Sequence, residues 1–277
     1  MPTIPSRLPA VGTTIFTVMS QLAADTGAVN LGQGFPDFDL PEPLADLLAR
    51  AVREGRNQYA PMAGVPALRE AIAAKTEAAY GHRADAATEV TVTSGATEAI
   101  FNAILAVLQP GDEAIVLDPS YDSYEPGIVL AGGRCVHVPL RPTDFSVDWD
   151  ALAAAVTPRT RLILVNSPHN PSGAIWSADD VSRLAALAGT HDLIVISDEV
   201  YEHIVFDGRR HESVLRTPEL AARSFVVSSF GKTYHCTGWK VGSCVAPAAL
   251  TAEFRKVHQY NTFATSTPAQ WAFAGMI

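Results

Sequence analysis

The chain has 277 residues, 48% hydrophobic and 18% charged, a composition typical of a globular protein with one large core or with a large and a small domain. Its 20 basic and 29 acidic residues give a net charge of −9, which argues against a nucleic-acid-binding surface. The 3 cysteines form neither a disulfide framework nor a C-x-x-C zinc or redox motif. No apolar run is long enough to span a membrane and the chain starts without a signal-peptide pattern, so we expect a cytoplasmic protein with no metal site.

The organisation changes near Pro43. Residues 1–45 are rich in glycine and proline and predict irregular structure. Beyond them, short β-branched runs alternate with Ala- and Leu-rich helical stretches, which predicts a mostly parallel sheet with crossover helices. Several runs are apolar throughout, as in strands that are covered on both faces. The seven predicted strands are residues 89–93, 114–117, 135–139, 162–166, 193–197, 225–228 and 241–246.

Polar motifs follow the predicted strands, where open α/β sheets bind ligands. After Thr93 the chain passes through Ser94, Gly95 and Ala96 into a predicted helix over residues 97–108. Small residues at a helix start leave unpaired N–H groups and a positive dipole end, which stabilise an anion such as phosphate. An ordinary helix cap at Ser94 or Gly95 is the more frequent explanation of this pattern taken alone.

A second motif spans residues 228–240, where a strand ends in two serines and is followed by Lys232 and Lys240. A lysine at a strand end, near another cation, can be partly neutral and act as a Schiff-base nucleophile. Ser229 and Lys240 are candidate ligands of the same phosphate. Two solvated surface lysines on a polar loop would give the same spacing.

A third motif places Asp198 at the mouth of a buried strand, where an isolated carboxylate is costly unless a cation compensates it. Tyr201 can share its face if a helical turn begins there. A turn or helix-capping aspartate is the more common occurrence of such a residue.

Two further strand ends carry Asn170 and Tyr121. Because Asn170 precedes Pro171, its backbone is held extended and its amide can point into a cleft. Tyr121 can stack on a flat heteroaromatic ring, although packing is the commoner use of a tyrosine. We interpret His169 as a turn residue without a catalytic role.

The order of these motifs is more specific than any one of them. Ser-Gly-Ala-Thr, Pro-Ser-Tyr, Asn-Pro-x-Gly, Asp-Glu-Val-Tyr and Ser-Phe-Gly-Lys-Thr with Gly-Trp-Lys resemble the class I/II aminotransferases, which are pyridoxal-phosphate (PLP) enzymes of fold type I. Residues 30–38 and 229–240 resemble the kynurenine and methionine aminotransferase branch most closely. The resemblance covers the chain from about residue 10.

The resemblance implies an α/β fold with a PLP-binding large domain at residues 45–277, built on a mostly parallel seven-stranded sheet between helices. Residues 1–44 would form an N-terminal arm and part of a small domain, whose C-terminal segment is largely absent from this chain. Family members continue beyond this point and carry there the arginine that binds the substrate carboxylate, and none of the arginines here stands in a matching motif. We expect either a portion of a longer enzyme or a natural truncation.

The resemblance also implies roles for the site residues. Lys232 would carry PLP as a Schiff base and move the substrate proton, while Asp198 would pair with the ring nitrogen. Tyr201 and Asn170 would contact the ring oxygen, and Tyr121 would stack on the ring. The implied phosphate contacts are Gly95, Ala96, Thr97, Ser229, Lys240 and, from the other subunit of a homodimer, Tyr59. Gly34 and Asn170 would contact the substrate.

The implied reaction transfers an amino group from an L-amino acid, aromatic or methionine-like, to a 2-oxo acid, with no nucleic acid or membrane partner. A cysteine-conjugate β-lyase of the same fold remains an alternative, because Lys232 and Asp198 would serve both reactions. A truncated, non-catalytic PLP-binding module is a further alternative.

Overall fold

The computed structural model describes residues 4–32, 34 and 38–277. One seven-stranded sheet runs through it. All seven predicted strands are confirmed, each within two residues of its predicted ends. They are β1 (Val90–Thr93), β2 (Glu113–Asp118), β3 (Arg134–Pro139), β4 (Thr160–Asn166), β5 (Ile194–Asp198), β6 (Ser224–Ser229) and β7 (Gly242–Val245). Their order in the sheet is β1-β7-β6-β5-β4-β2-β3.

Strand direction brings the predicted motifs to one edge of the sheet. The pairs β2–β3, β2–β4, β4–β5 and β5–β6 are parallel, so the carboxyl ends of these strands lie together. Strand β7 is antiparallel to both of its neighbours, β1 and β6. The expectation of a mostly parallel sheet is therefore confirmed.

Helices cover both faces of the sheet. The residues of β2 and β4 alternate between two apolar clusters, because successive side chains of a strand point to opposite faces. Among the described residues, no helix combines the length and the apolar character needed to cross a bilayer. The helices are α1 (Ile15–Thr26), α2 (Glu42–Arg53), α3 (Pro66–Tyr80), α4 (Gly95–Val107), α5 (Tyr124–Leu130), α6 (Trp149–Ala155), α7 (Ala178–Thr190), α8 (Pro218–Ala221), α9 (Phe230–Thr233), α10 (Ala248–Asn261) and α11 (Thr267–Ala274), with 3-10 turns at Val214–Arg216 and Thr237–Trp239. Helices α2, α3, α6, α7 and α11 pack into one cluster, and α4, α5 and α10 pack into the other.

The prediction that residues 1–45 are irregular is wrong for α1 and for the start of α2. The Thr14 hydroxyl accepts a hydrogen bond from the Thr17 N–H, and Gly27 ends α1 in the left-handed conformation at φ 66°. These two caps delimit a 12-residue helix inside a Gly- and Pro-rich stretch. The predicted loop at residues 30–38 includes Gln33, Phe35, Pro36 and Asp37, which lie outside the described residues. The division into domains at residue 44 stays a prediction.

A buried carboxylate lies at the opposite, amino-terminal end of the sheet. Glu113 has no exposed surface, and its oxygens accept hydrogen bonds from Arg134 (2.7 Å), Arg159 (2.8 Å) and the Thr157 hydroxyl (2.7 Å). The bond from Arg134 and then that from Thr157 lower the pKa of Glu113 from 4.5 to about 2, against the effect of burial. This cluster fixes β2 to β3 and to the chain entering β4.

We predict that Glu113→Gln lowers the free energy of unfolding by about 2 kcal/mol at neutral pH, because it removes charge-assisted hydrogen bonds to a buried group. Since the pKa of Glu113 is lowered in the folded state, its stabilisation is present above pH 4.5 and is lost as the pH falls towards 2. The difference between wild type and variant should therefore shrink over this range in urea unfolding curves. A difference that stays constant down to pH 2 would contradict the assignment.

Candidate active site

The candidate site lies at the carboxyl ends of β4, β5 and β6. In the register of the sheet, Asn166 is paired with Asp198, and Asp198 is paired with Val227. The chain segments that leave these strands carry Asn170, Tyr201 and Lys232, so three separate motifs meet at one edge.

Asp198 is a buried acid at this edge, with 4% of its surface exposed. The Tyr124 hydroxyl donates to its Oδ2 at 2.7 Å, and the Val200 N–H donates to Oδ1 at 3.2 Å. Burial raises the pKa of Asp198 to about 6, although both hydrogen bonds act to lower it. The carboxylate is thus only partly compensated by the protein, and a bound cation would stabilise its charge.

Asn166 joins two of the predicted motifs, a role that sequence reasoning missed. Its side-chain amide donates to the Asp198 carbonyl oxygen at 2.8 Å, and its Oδ1 accepts from the Asn170 N–H at 2.7 Å. The backbone of Asn170 is therefore held against the end of β5. Tyr124 was missed as well, since its partner Asp198 lies 74 residues away in the sequence.

Lys232 stands in the short helix α9, directly after β6. Its Nζ donates to the Gly34 carbonyl oxygen at 2.5 Å and lies 5.7 Å from the centre of the Tyr201 ring. Burial, and to a smaller extent the charge of Lys240, lower the pKa of the Lys232 amine. A larger fraction of this amine is consequently neutral near pH 7 than in an exposed lysine.

The start of α4 adjoins Lys240. Gly95, the first residue of α4, has φ 78°, and a Cβ there would lie 3.6 Å from Cδ of Lys240. Gly242 pairs with Ser229 and is a second residue that the sequence did not reveal. A Cβ on Gly242 would lie 2.7 Å from the Ser228 carbonyl oxygen and 2.9 Å from the Gly95 carbonyl carbon. This close approach brings Gly95, Ser229 and Lys240 into one cradle.

Glu98 binds the backbone at the start of α4, next to this cradle. Ser94 occupies the N-cap position of α4, but its side chain makes no capping hydrogen bond. Instead the Glu98 carboxylate accepts hydrogen bonds from the Ser94 N–H and from the Asn102 side-chain amide, the latter at 2.6 Å. It also lies 2.6 Å from His258 Nδ1. The N–H groups of the first turn, which holds Ala96 and Thr97, have no capping side chain and can receive an anion.

The other residues singled out by the sequence are Tyr121, His169 and Tyr59. Tyr121 is half-buried and makes an edge contact with Tyr124, with 5.6 Å between ring centres. His169 is a buried link between loops, because its Nε2 lies 2.9 Å from the Pro119 carbonyl oxygen and its Nδ1 lies 2.6 Å from the Ser172 hydroxyl. Tyr59 is 86% exposed and lies at the surface, in edge contact with Phe263.

Comparison with known proteins decides the family. Residues 26–277 match the family Aminotransferase class I and II. The chain is 57% identical over 277 residues to the methionine aminotransferase of Escherichia coli (strain K12), an alignment that covers 100% of this chain and 72% of that protein. This chain belongs to the class I/II aminotransferases.

The aminotransferase resembles further members of the family. It is 47% identical over 271 residues to a probable N-succinyldiaminopimelate aminotransferase of Mycobacterium tuberculosis, with 97% of this chain and 68% of the relative covered. It superposes with a TM-score of 0.95 on the crystal structure of an E. coli protein with a methionine aminotransferase function, at 56% identity over 99% of this chain and 72% of the other. The family and fold that the sequence motifs implied are confirmed.

Class I/II aminotransferases of this fold use pyridoxal 5'-phosphate, and the enzyme transfers an amino group between amino acids and 2-oxo acids. The residues of the site fit this cofactor in three respects. The buried Asp198 carboxylate fits a protonated ring nitrogen, the Lys232 amine fits a carbonyl carbon, and the cradle at Gly95 fits a phosphate.

We predict that Tyr124→Phe raises the pKa of Asp198 above its wild-type value of about 6, because the phenol is the side chain that donates to this carboxylate. The measurement is an NMR titration of the Asp198 carboxyl carbon in the cofactor-free protein. Tyr121→Phe is the matched control, since it also removes one hydroxyl from the same aromatic pair, and it should leave the titration unchanged. An unchanged midpoint in Tyr124→Phe would contradict the hydrogen bond.

Proposed function

We propose that the aminotransferase uses Lys232 as its cofactor-carrying and proton-transferring residue and that its amino donor is methionine. The observation that carries this proposal is the meeting of a lysine of lowered pKa, a buried Asp198 carboxylate and an anion cradle at one sheet edge. Each feature complements a different part of one ligand, and together they match PLP better than any group that carries a single charge.

We assign the cofactor contacts as follows. Asp198 would hold the proton on the ring nitrogen, and Tyr201 and Asn170 would contact the ring oxygen. Tyr121 would lie against the ring face. The phosphate would be received by the N–H groups of Gly95, Ala96 and Thr97, by the Ser229 hydroxyl and by the Lys240 ammonium.

The amine of Lys232 is suited to moving a proton at the substrate α-carbon. Bound PLP supplies an electron-withdrawing ring that stabilises negative charge at that carbon. A general base is most effective when its pKa lies near the working pH, and burial together with Lys240 moves the pKa of Lys232 in that direction. The Gly34 carbonyl oxygen, 2.5 Å from Nζ, orients the amine. This contact would bring the N-terminal segment beside the substrate.

The substrate proposal rests on similarity. The relative at 57% identity is named for methionine, and the one at 47% is named for N-succinyldiaminopimelate. We favour methionine because the alignment to the first relative is the more similar and runs over the whole chain.

We also infer a homodimer in which Tyr59 reaches the phosphate of the partner subunit. Tyr59 is 86% exposed, and Tyr260, near the carboxyl end of α10, is 90% exposed. The Tyr59 ring also contacts Phe263. Exposed aromatic side chains of this kind are enriched in surfaces that become buried between subunits.

The function is tested by supplying the PLP-loaded protein with single amino donors and a 2-oxo acid acceptor and measuring product by mass spectrometry. We expect turnover with L-methionine to exceed that with N-succinyl-L,L-diaminopimelate by about tenfold or more, because the two side chains need different pockets. Lys232→Ala should lower the methionine rate by about 100-fold or more. Equal rates in wild type and Lys232→Ala would overturn the assignment of Lys232.

The shared site is tested by mixing subunits. Tyr59→Ala and Lys232→Ala should each lower turnover, and a mixed dimer of the two should regain it, because one of its two sites then has both native residues. Phe206→Ala, a change to an exposed aromatic residue that belongs neither to this surface nor to the proposed site, is the control and should keep wild-type turnover by itself. Failure of the mixture to regain turnover would show that Tyr59 acts in its own subunit or not at all.

A further inference from the structure

A second buried carboxylate, that of Glu202, lies directly behind the candidate site. Glu202 follows Tyr201 in the turn after β5, where its own N–H donates to the Glu199 carbonyl oxygen at 3.0 Å. Only 5% of its surface is exposed. The motifs that predicted the site assign it no role, and it is not one of the proposed cofactor contacts.

Glu202 holds three separate elements together. Its Oε2 accepts hydrogen bonds from Lys75 and Tyr80 of helix α3, and its Oε1 accepts one from the Ser228 hydroxyl at the end of β6. His203 Nε2 is 3.9 Å from Oε1. One carboxylate therefore joins α3, the turn after β5 and the end of β6.

The charge of Glu202 is retained in this environment. Burial acts to raise the pKa of its carboxyl, but the charge of Lys75 and the hydrogen bonds from Lys75, Ser228 and Tyr80 outweigh it, so the pKa is lowered. A buried ion pair with several additional hydrogen bonds fixes its partners in one geometry, since breaking it would leave a buried charge uncompensated.

The residues that Glu202 fixes are the immediate neighbours of the site. Tyr201 precedes it in the chain, and the Tyr201 ring lies 5.7 Å from Lys232 Nζ. Ser228 precedes Ser229, which occupies the N-cap position of the helix α9 that carries Lys232. A shift of the turn against β6 would consequently move the Tyr201 ring relative to the Lys232 amine.

We propose that Glu202 is a positioning residue, whose carboxylate sets the distance between the Tyr201 phenol and the Lys232 amine by tying the turn after β5 to α3 and to β6. The inference rests on the proposed roles of Lys232 and Tyr201. Glu202 itself is not one of the proposed cofactor or substrate contacts. A cavity of about 220 Å³ lies beside the cluster and is lined in part by Lys75, Tyr80, Glu202 and Ser228, so an amide can replace the carboxylate without overpacking.

The test compares PLP-loaded wild type with Glu202→Gln, which keeps the size of the side chain and removes its charge. The first readout is the pH midpoint of the visible absorption of the bound cofactor. This midpoint should fall, because the cation on Lys75 loses its counter-charge and the Tyr201 ring is no longer held beside the amine. The second readout is turnover, where we expect kcat to fall by about 10- to 100-fold, the usual effect of a small misplacement of reacting groups.

Glu113→Gln is the matched control, since it makes the same substitution in a second buried carboxylate. Glu113 lies at the opposite end of the sheet and is paired with two arginines. It should lower the melting temperature and leave midpoint and kcat at wild-type values. Tyr80→Phe removes one hydrogen bond to Glu202 and serves as a milder variant should Glu202→Gln not fold. It should shift the midpoint in the same direction by less.

Wild-type protein that lacks both the cofactor absorption and turnover would overturn the proposed function, and with it the role of Glu202. Wild type with both properties, together with wild-type midpoints and kcat in Glu202→Gln and Tyr80→Phe, would overturn the role of Glu202 alone. A lowered pH midpoint of the cofactor absorption in Glu202→Gln and Tyr80→Phe, but not in Glu113→Gln, supports the role of Glu202.

Discussion

The burial of the Asp198 carboxyl group at the end of β5 is the constraint on which the site depends. The protein gives this group two hydrogen bonds, from Tyr124 and from Val200, and still its pKa is raised to about 6. A carboxylate in such a place is stabilised fully only when a positive charge is bound next to it. Asn166 binds the backbone of both Asp198 and Asn170, so the loop that carries Asn170 depends on the same position.

The sheet explains how distant parts of the sequence reach this carboxyl group. The parallel strands β4, β5 and β6 end at one edge, so the segments that carry Asn170, Tyr201 and Lys232 start side by side. The antiparallel strand β7 then returns next to β6 and β1. This return places Lys240 against Gly95, and the absence of a side chain at Gly242 allows the close approach. Positive charge and helix N–H groups thereby gather on the side where a phosphate would lie.

Much of this could be predicted from the sequence, because the signals are local. The apolar runs of β4 and β5 identify buried strands, and the motifs around Asp198 and Lys232 stand directly at strand ends. The contacts that hold the motifs could not be predicted in this way. Tyr124 and Asp198 are 74 residues apart, and Lys75 and Glu202 are 127 apart, so neither pairing leaves a pattern in any short window. Helix α1 was not predicted, because the glycines and prolines around it indicate irregular structure and its two caps are weak signals by comparison.

The central claim is that Lys232 is the residue that bears the cofactor. The most direct measurement is to load the protein with PLP, reduce it with borohydride, digest it and locate the added phosphopyridoxyl mass by mass spectrometry. The account predicts the mass on the peptide that contains Lys232, with Lys240 unmodified. A label on Lys240, on Lys75 or on no lysine would contradict it.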